Sequence, residues 1–415
     1  MPATPGTIHW TEDGLARSAL WRSERGAAPP VRVAIGDDTT SADTAYRLAC
    51  EGTALLWRGD FHNARQLLQA IDRRIAKTPA RKKRKGSGAA SSDIPGDDGA
   101  DAFHRHRLAQ SQRARILGAL LIPFDADYGI ALRRAPDARQ ACSEAWGPAV
   151  DTDGPSVATL RDLLGMTSAH EWRKKGVAME ALGPAPHNRI YPHYGVFSPV
   201  RGEYVDLVAK SPLPALLSLR GSAGKAVLED GAAVFDIGTG TGVLSAVLAR
   251  RGAVPIVATD QDPRALACAQ ENLLQLGVDT QVTLLKADLF PPGRAALVVC
   301  NPPWLPARAS APIEQAVYDE GSRMLMGFLK GLSTHLLDGG EGWLILSDLA
   351  EHLGLRSRTM LMSAIADSGL QVLGRLDAKP RHPKAGNRND PLHAARSAEV
   401  TTLWRLGKSA SAVPH

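Results

Sequence analysis

Ala233-Val234-Phe235-Asp236-Ile237-Gly238-Thr239-Gly240-Thr241-Gly242 and, further on, Ala296-Leu297-Val298-Val299-Cys300-Asn301-Pro302-Pro303-Trp304 decide how this chain folds. The first is an apolar run that enters a glycine turn. The second is an apolar run that stops at a polar residue and two prolines. Between them, two further apolar runs end in acids, at Asp260 and Asp288. Runs of this kind fit strands buried on both faces of a parallel sheet. In such sheets ligands bind outside the carboxyl ends of the strands, near the point where strand order reverses.

Each of these residues has a chemical reason to be there. Gly238, Gly240 and Gly242 let the backbone turn tightly and approach a ligand with no Cβ in the way. The pattern predicts a helix from Val243 to Arg251, whose first amides face the same ligand. Asp260 lies 22 residues after Gly238, at the end of the second strand, where a carboxylate can accept both hydroxyls of a ribose. Asp288, beside Leu289 and Phe290, is placed to accept from an adenine amine while its neighbours pack the ring. A nicotinamide fingerprint would want Gly or Ala three residues after Gly240, and position 243 is Val.

Asn301-Pro302-Pro303-Trp304, preceded by Val298-Val299, fits the signature Asn or Asp, two prolines, then an aromatic. Residues 233–347 thereby resemble the class I S-adenosylmethionine-dependent methyltransferases. More narrowly, they resemble the group that methylates planar nitrogens, which includes adenine and guanine N-methyltransferases and the release-factor glutamine methyltransferases. Trp is the less usual choice at the last place, where Tyr or Phe is commoner. The resemblance implies an α/β fold with a Rossmann-like seven-stranded sheet, its final strand antiparallel. It implies S-adenosyl-L-methionine as cofactor, held by Asp236, Gly238, Thr239, Gly240, Gly242, Asp260, Gln261, Asp288, Leu289 and Asn301. It also implies that Asn301, Pro302, Pro303 and Trp304 carry the reaction.

The chemistry asks for those residue types. An amide or exocyclic amine is a poor nucleophile because its lone pair is delocalised. The Asn301 side-chain oxygen and the Pro302 carbonyl can each accept one N–H of an NH2 group, which localises the lone pair and aims it. The prolines fix φ and stiffen the turn, and Trp304 offers a flat face to a planar target. No strong general base is needed, because the alkylated nitrogen sheds its proton readily. Alignment of this kind saves roughly 7–11 kcal/mol of barrier.

Upstream, Tyr191 to Tyr204 resembles the segment that precedes the cofactor sheet in the glutamine methyltransferases. By that resemblance Phe197, Pro199, Arg201 and Glu203 form a lid near the methionine or the substrate entry. Gly221 to Lys225 is no phosphate loop: position 219 is Leu and Ala follows the Lys. His170-Glu171 does not continue into a zinc-protease motif, since no second His follows at the required spacing. No metal site is expected.

The remaining sequence sets bounds. With 415 residues, 44% apolar, the chain suits two or three domains. Net charge is +6, and the run Arg81-Lys82-Lys83-Arg84-Lys85 supplies five of those charges. From Tyr191 to His415 there are 22 Lys and Arg against 21 Asp and Glu, so a nucleic-acid partner is permitted by the composition and not demanded by it. Cys50, Cys142, Cys268 and Cys300 lie far apart, without metal-type or disulfide spacing. Neither a signal peptide nor an 18-residue apolar run is evident, so a cytoplasmic protein with no membrane partner is expected.

Four regions are expected. Residues 1–78 read as a mainly helical accessory region, with helices from Ser41 and over Phe61 to Lys77, and a short strand over Val31 to Ile35. Residues 79–102 read as a basic and Gly-Ser-rich disordered linker. Residues 103–190 read as a helical substrate-recognition region whose first half is basic. Residues 191–408 read as the methyltransferase domain, with helices over Tyr318 to Leu337 and Leu349 to Asp367, strands over Gly342 to Ser347, Leu370 to Asp377 and Val400 to Arg405, and a polar loop from Lys379 to Pro391. The basic elements favour an exocyclic base amine as acceptor, in RNA more than DNA. Glutamine on a translation factor or ribosomal protein is the alternative, and a non-catalytic adaptor binding cofactor or RNA the third reading.

Overall fold

Helix signals in the first half of the chain land where the sequence places them, and strands appear where it places none. The computed structural model describes residues 6–77, 97–150, 154–218, 234–309, 312–380 and 390–409. The chain divides into two compact units, Met1–Pro95 with Phe103–Glu171, and Gly96–Ala102 with Trp172–His415. The basic run 81–85 and most of the polar loop after Lys379 lie outside the described residues.

The first unit is built on a sheet, which corrects the expectation of a mainly helical accessory domain. Strands β1 (Thr7–Glu12), β2 (Leu15–Trp21), β3 (Arg32–Gly36), β4 (Thr53–Trp57), β5 (Leu120–Phe124) and β6 (Ser156–Thr159) stand in the order β1-β2-β6-β5-β4-β3. The hairpin β1–β2 turns on Asp13 and Gly14, with φ 52° and 75°. This is the Asp-Gly signal of a two-residue hairpin, hidden in the sequence by strands that mix exposed Arg17 and Ser18 with buried Ile8 and Trp21. The apolar stretch 116–122, inside a region expected to be helical, breaks at Gly118 and continues as β5. Val157 likewise lies in β6, not in a helix. The helices that were expected are present. Helix α1 (Ala42–Cys50) is capped by Ser41, whose Oγ accepts from the Thr44 N–H at 3.1 Å, and α2 spans Phe61–Lys77.

The second unit is built on a sheet of seven strands. They are β9 (Val234–Ile237), β10 (Ile256–Asp260), β11 (Val282–Lys286), β12 (Ala295–Cys300), β13 (Leu336–Ser347), β14 (Leu370–Ala378) and β15 (Thr401–Lys408), in the order β11-β10-β9-β12-β13-β15-β14; a two-residue pair, β7 (Val177–Ala178) with β8 (Arg189–Ile190), precedes them. The first five in that order are parallel, and β15 runs antiparallel to both neighbours. Strand order reverses between β9 and β12, so the carboxyl ends of those two strands bracket a crevice.

Side chains alternate between two buried faces. Val234, Leu297, Val299 and Trp343 join one apolar cluster with Val243, Val247 and Leu248. Phe235, Val298 and Leu344 join the other with Leu325, Phe328 and Leu332. The packing is close enough to test at one atom. A Cβ added at Gly342 would lie 2.3 Å from Cδ2 of the fully buried Leu332. Gly342→Ala should therefore destabilise the unit by about 1–3 kcal/mol through overpacking. Urea denaturation would show this as a lower midpoint with unchanged slope, and a wild-type midpoint would contradict the packing described.

Two helical expectations need correction. The helix expected from Tyr318 begins at Arg323 and ends at His335, and Asp338 to Gly340 belong to β13 instead of ending a helix. Its start is fixed by Asp319, whose Oδ2 accepts from the N–H groups of Met324 (2.8 Å) and Leu325 (3.3 Å). The helix expected over 349–367 is two, Leu349–His352 and Arg358–Asp367, separated at Gly354 with φ 67°.

Candidate active site at the carboxyl ends of β9 and β12

The turn after β9 is held by backbone bonds. The N–H groups of Gly238 and Thr239 both donate to the Thr259 carbonyl at 2.9 Å, and Gly242 N–H donates to the Thr239 carbonyl at 2.9 Å. The three glycines, all at positive φ, differ in what surrounds them. A Cβ at Gly238 would strike the Met324 methyl at 2.6 Å, and one at Gly242 would meet the Ala269 backbone at 3.2 Å. At Gly240 it would meet nothing within 4 Å. Gly240 therefore borders open space, where a ligand can lie against bare backbone.

Two carboxylates support that turn. Asp236 is buried; its Oδ2 accepts from Thr239 Oγ1 at 2.8 Å and Ser245 Oγ at 2.6 Å, while its Oδ1, also buried, has no partner. Burial pushes its pKa up, against the pull of the two hydroxyls. An orphaned buried acceptor at the foot of the turn is costly unless a donor arrives. Asp260 accepts from Gly240 N–H at 3.1 Å through Oδ2 and from Asp262 N–H at 2.9 Å through Oδ1. Each oxygen keeps a further lone pair for hydroxyl donors. Burial raises its pKa too, opposed by those backbone bonds.

The other residues expected around a cofactor are more dispersed. Gln261 is exposed. Asp288 is exposed and ion-paired with Arg323 at 3.1 Å, a surface contact worth little by itself. Leu289 takes φ +76°, and its carbonyl accepts from Thr259 Oγ1 at 2.6 Å, which pins the loop after β11 to β10. Phe290, expected to flank the same ligand, stacks instead on His335 (4.2 Å between centroids) and Phe328 (5.8 Å).

Asn301 follows β12 and is half-buried, as is Trp304. The Trp304 indole N–H donates to Asn301 Oδ1 at 2.9 Å. The ring is not a bare face: the Arg201 guanidinium lies over it, 5.6 Å from its centroid. Arg201 in turn pairs with Glu203 (Nε to Oε1, 3.0 Å) and Glu399 (Nη2 to Oε2, 3.2 Å). Pro199 is buried and Phe197 packs on the first apolar cluster. Of the segment 197–203, then, Arg201 and Glu203 meet the tetrapeptide's surroundings through Trp304.

Three contributors were not legible beforehand. Glu399 precedes the last strand and reaches Arg201 only because β15 lies beside β13, where Ser347 Oγ donates to Glu399 Oε1 at 2.8 Å. Asn272 is buried, accepts from Tyr191 N–H at 2.8 Å and donates to the Thr241 carbonyl at 3.1 Å, tying the upstream segment to the glycine turn. Met324 covers Gly238. A lone Asn or Glu carries no local signal; a helical spacing marks Asn272 as inward-facing, and nothing marks Glu399.

Comparison with known proteins bears on the same stretch of chain. Residues 220–347 match the family described as Ribosomal protein L11 methyltransferase (PrmA). The chain is 32% identical over 170 residues to the release factor glutamine methyltransferase of Cereibacter sphaeroides, covering 38% of this chain and 60% of that protein. It is 37% identical over 117 residues to the protein of the same name from Moorella thermoacetica (27% and 41% covered). It is 35% identical over 111 residues to the ribosomal protein L11 methyltransferase of Geobacter metallireducens (26% and 36%). The chain thus spans about three fifths or less of the length of these relatives. The class follows from sheet, cradle and likeness together: the second unit holds a methyltransferase domain of the S-adenosylmethionine-dependent kind. Its particular likeness is to proteins named for methylating glutamine in release factors and for methylating ribosomal protein L11.

Among the described residues, no group of three or more His, Cys, Asp or Glu is arranged to hold a metal ion, and no helix is long and apolar enough to cross a membrane.

Proposed function

We propose that the chain is an S-adenosylmethionine-dependent N-methyltransferase whose acceptor is a planar NH2 group, the side-chain amide of a glutamine in a protein of the translation machinery. The observation that carries the reading is Asn301, an amide at the end of β12 whose oxygen is oriented by Trp304, directly across the strand-order reversal from the Gly240 cradle. The cradle residues suit the cofactor: Asp236 Oδ1 is an acceptor without a donor, Gly240 borders open space, and Asp260 has lone pairs for two hydroxyls. When bound, the cofactor supplies an electrophilic methyl group on a sulfonium. This chain's residues do the rest. Asn301 Oδ1 and the Pro302 carbonyl take the two N–H bonds of the acceptor, the diproline holds both oxygens still, and the segment 197–203 limits access to the crevice.

Glutamine is favoured over a nucleic-acid base because basic groups that would have met phosphates are engaged. Arg113 pairs with Asp72 at 2.6 Å, Arg134 with Asp60 at 2.6 Å, and Arg139 with Asp127 at 2.8 Å. The names of the relatives point the same way. The base-amine reading keeps in its favour the run of five cations at 81–85 and the basic polar loop from Lys379 to Pro391. Incubation with methyl-labelled cofactor, ribosomal proteins, release factors and total RNA should leave label that survives nuclease and is lost to protease. Label lost to nuclease alone would replace glutamine by a base amine, and no label in either polymer would remove the proposal.

Cofactor affinity should depend on pH through Asp260. Burial holds its free-state pKa above the ordinary 3.8, and ligand hydroxyls favour the ionised carboxylate. Binding should therefore be tightest above that raised pKa and weaken as pH falls through it, with proton release on binding at acidic pH. Calorimetric titrations in buffers of different ionisation enthalpy would reveal the released proton; a pH-independent affinity would remove Asp260 from the cofactor's contacts.

A further inference from the structure

We propose that Arg201 is a positioning residue for the reacting amide, holding the Trp304 indole so that its N–H aims Asn301; this deepens the reading just given and rests on it. Asn301 alone is under-determined, since an amide can turn about its terminal bond and can exchange oxygen for nitrogen. An indole N–H is donor only, so a 2.9 Å contact to Asn301 obliges the oxygen to face Trp304. It occupies one lone pair and leaves the other for an N–H of the acceptor. Tyr or Phe at position 304 would supply a ring without that donor.

What holds the indole is a chain of contacts ending on a strand. Ser347, the last residue of β13, donates to Glu399 Oε1 at 2.8 Å and accepts from the Leu349 N–H at 3.0 Å. Glu399 and Glu203 are each at least 96% buried and both pair with Arg201. They take the Nε and Nη2 of the guanidinium, whose carbon lies over the Trp304 ring, 5.6 Å from its centroid. A guanidinium can satisfy carboxylates at its edge and an aromatic ring at its face at once; an ammonium cannot. The buried carboxylates make the cation obligatory, and the geometry gives it a second use. A cation over an indole is attracted by the ring's quadrupole, which favours one angle of the ring.

The informative variant is Arg201→Lys, which keeps the charge that the carboxylates require and loses the flat face. Arg201→Met combined with Glu203→Gln and Glu399→Gln serves as the second, so that neither carboxylate is left facing an apolar side chain. The first readout does not depend on activity: hydrogen exchange of the Trp304 indole N–H in 15N-tryptophan-labelled protein, assigned through Trp304→Phe. Exchange should be slow in the wild type and at least tenfold faster in Arg201→Lys, as fast as in Asn301→Ala. The second readout is methyl transfer. Arg201→Lys should lower kcat about tenfold, with cofactor Kd unchanged, as should Trp304→Phe. The double variant Arg201→Lys with Trp304→Phe should be no slower than Trp304→Phe alone, because the pathway is then already broken. Wild-type indole exchange in both Arg201 variants, or losses that multiply in the double variant, would overturn the proposal. Absence of methyl transfer in the wild type would overturn the functional reading instead, while the exchange comparison would still decide whether Arg201 sets the indole.

Discussion

Asn301→Ala should lower kcat by about 10²–10³-fold, or roughly 3–4 kcal/mol, the range seen when one preorganised polar partner is removed from a reacting centre. Cofactor binding should change by less than about threefold, since no described contact of Asn301 reaches Gly240, Asp236 or Asp260. The lone pair of an amide is not available until its N–H groups are held, so the loss falls on turnover. Asn301→Asp is the sharper comparison. It keeps the oxygen toward the indole and adds charge, and it should retain part of the activity because an acid occupies this place in part of the family signature. Single-turnover rates at saturating cofactor would separate chemistry from binding. Turnover within threefold of wild type in Asn301→Ala would remove this residue from the reaction.

Asp260→Ala should act at the other step. Two charge-assisted hydrogen bonds at about 1.5–3 kcal/mol each, discounted for water that takes their place, amount to a loss of about 10²-fold in cofactor affinity. The turn itself also loses a support, because Gly240 N–H donates to this carboxylate. Asp260→Asn retains an acceptor for one hydroxyl and should lose about tenfold, with the pH dependence abolished. Equilibrium dialysis with labelled cofactor measures both. An Asp260→Ala protein that binds as tightly as the wild type would mean that the ribose lies elsewhere.

The order of elements in the second unit was readable because it rests on long apolar runs with punctuation at their ends. Val234 to Ile237 and Ala295 to Cys300 are buried on both faces, and no other element type accommodates a short run of that kind before a glycine turn or a diproline. The first unit was not readable in the same way. Its strands are short, and β2 opens with four exposed residues, Leu15 to Ser18, so neither alternation nor a continuous run announces it. The apolar run at 116–122 has one composition and two conformations, divided at Gly118 by the contacts of β5 with β4 and β6. At the site, motif residues could be named because their roles are local to a strand end. Arg201 could be named as part of a lid, but its partners could not: Glu399 lies far along the chain and meets it through sheet order alone. Phe290 could be named beside Asp288, but its ring partners His335 and Phe328 could not, because the helix Arg323–His335 meets it only through the fold.

Strand β15 lies between β13 and β14, yet it is made after both. During synthesis β14 has no partner on that side until β15 has emerged, and Glu399 arrives only with it. Contacts so distant along the chain form slowly. The glycine turn is thus encoded well ahead of the acid that braces Arg201, and the amide-aiming apparatus stays incomplete until β15 is in place.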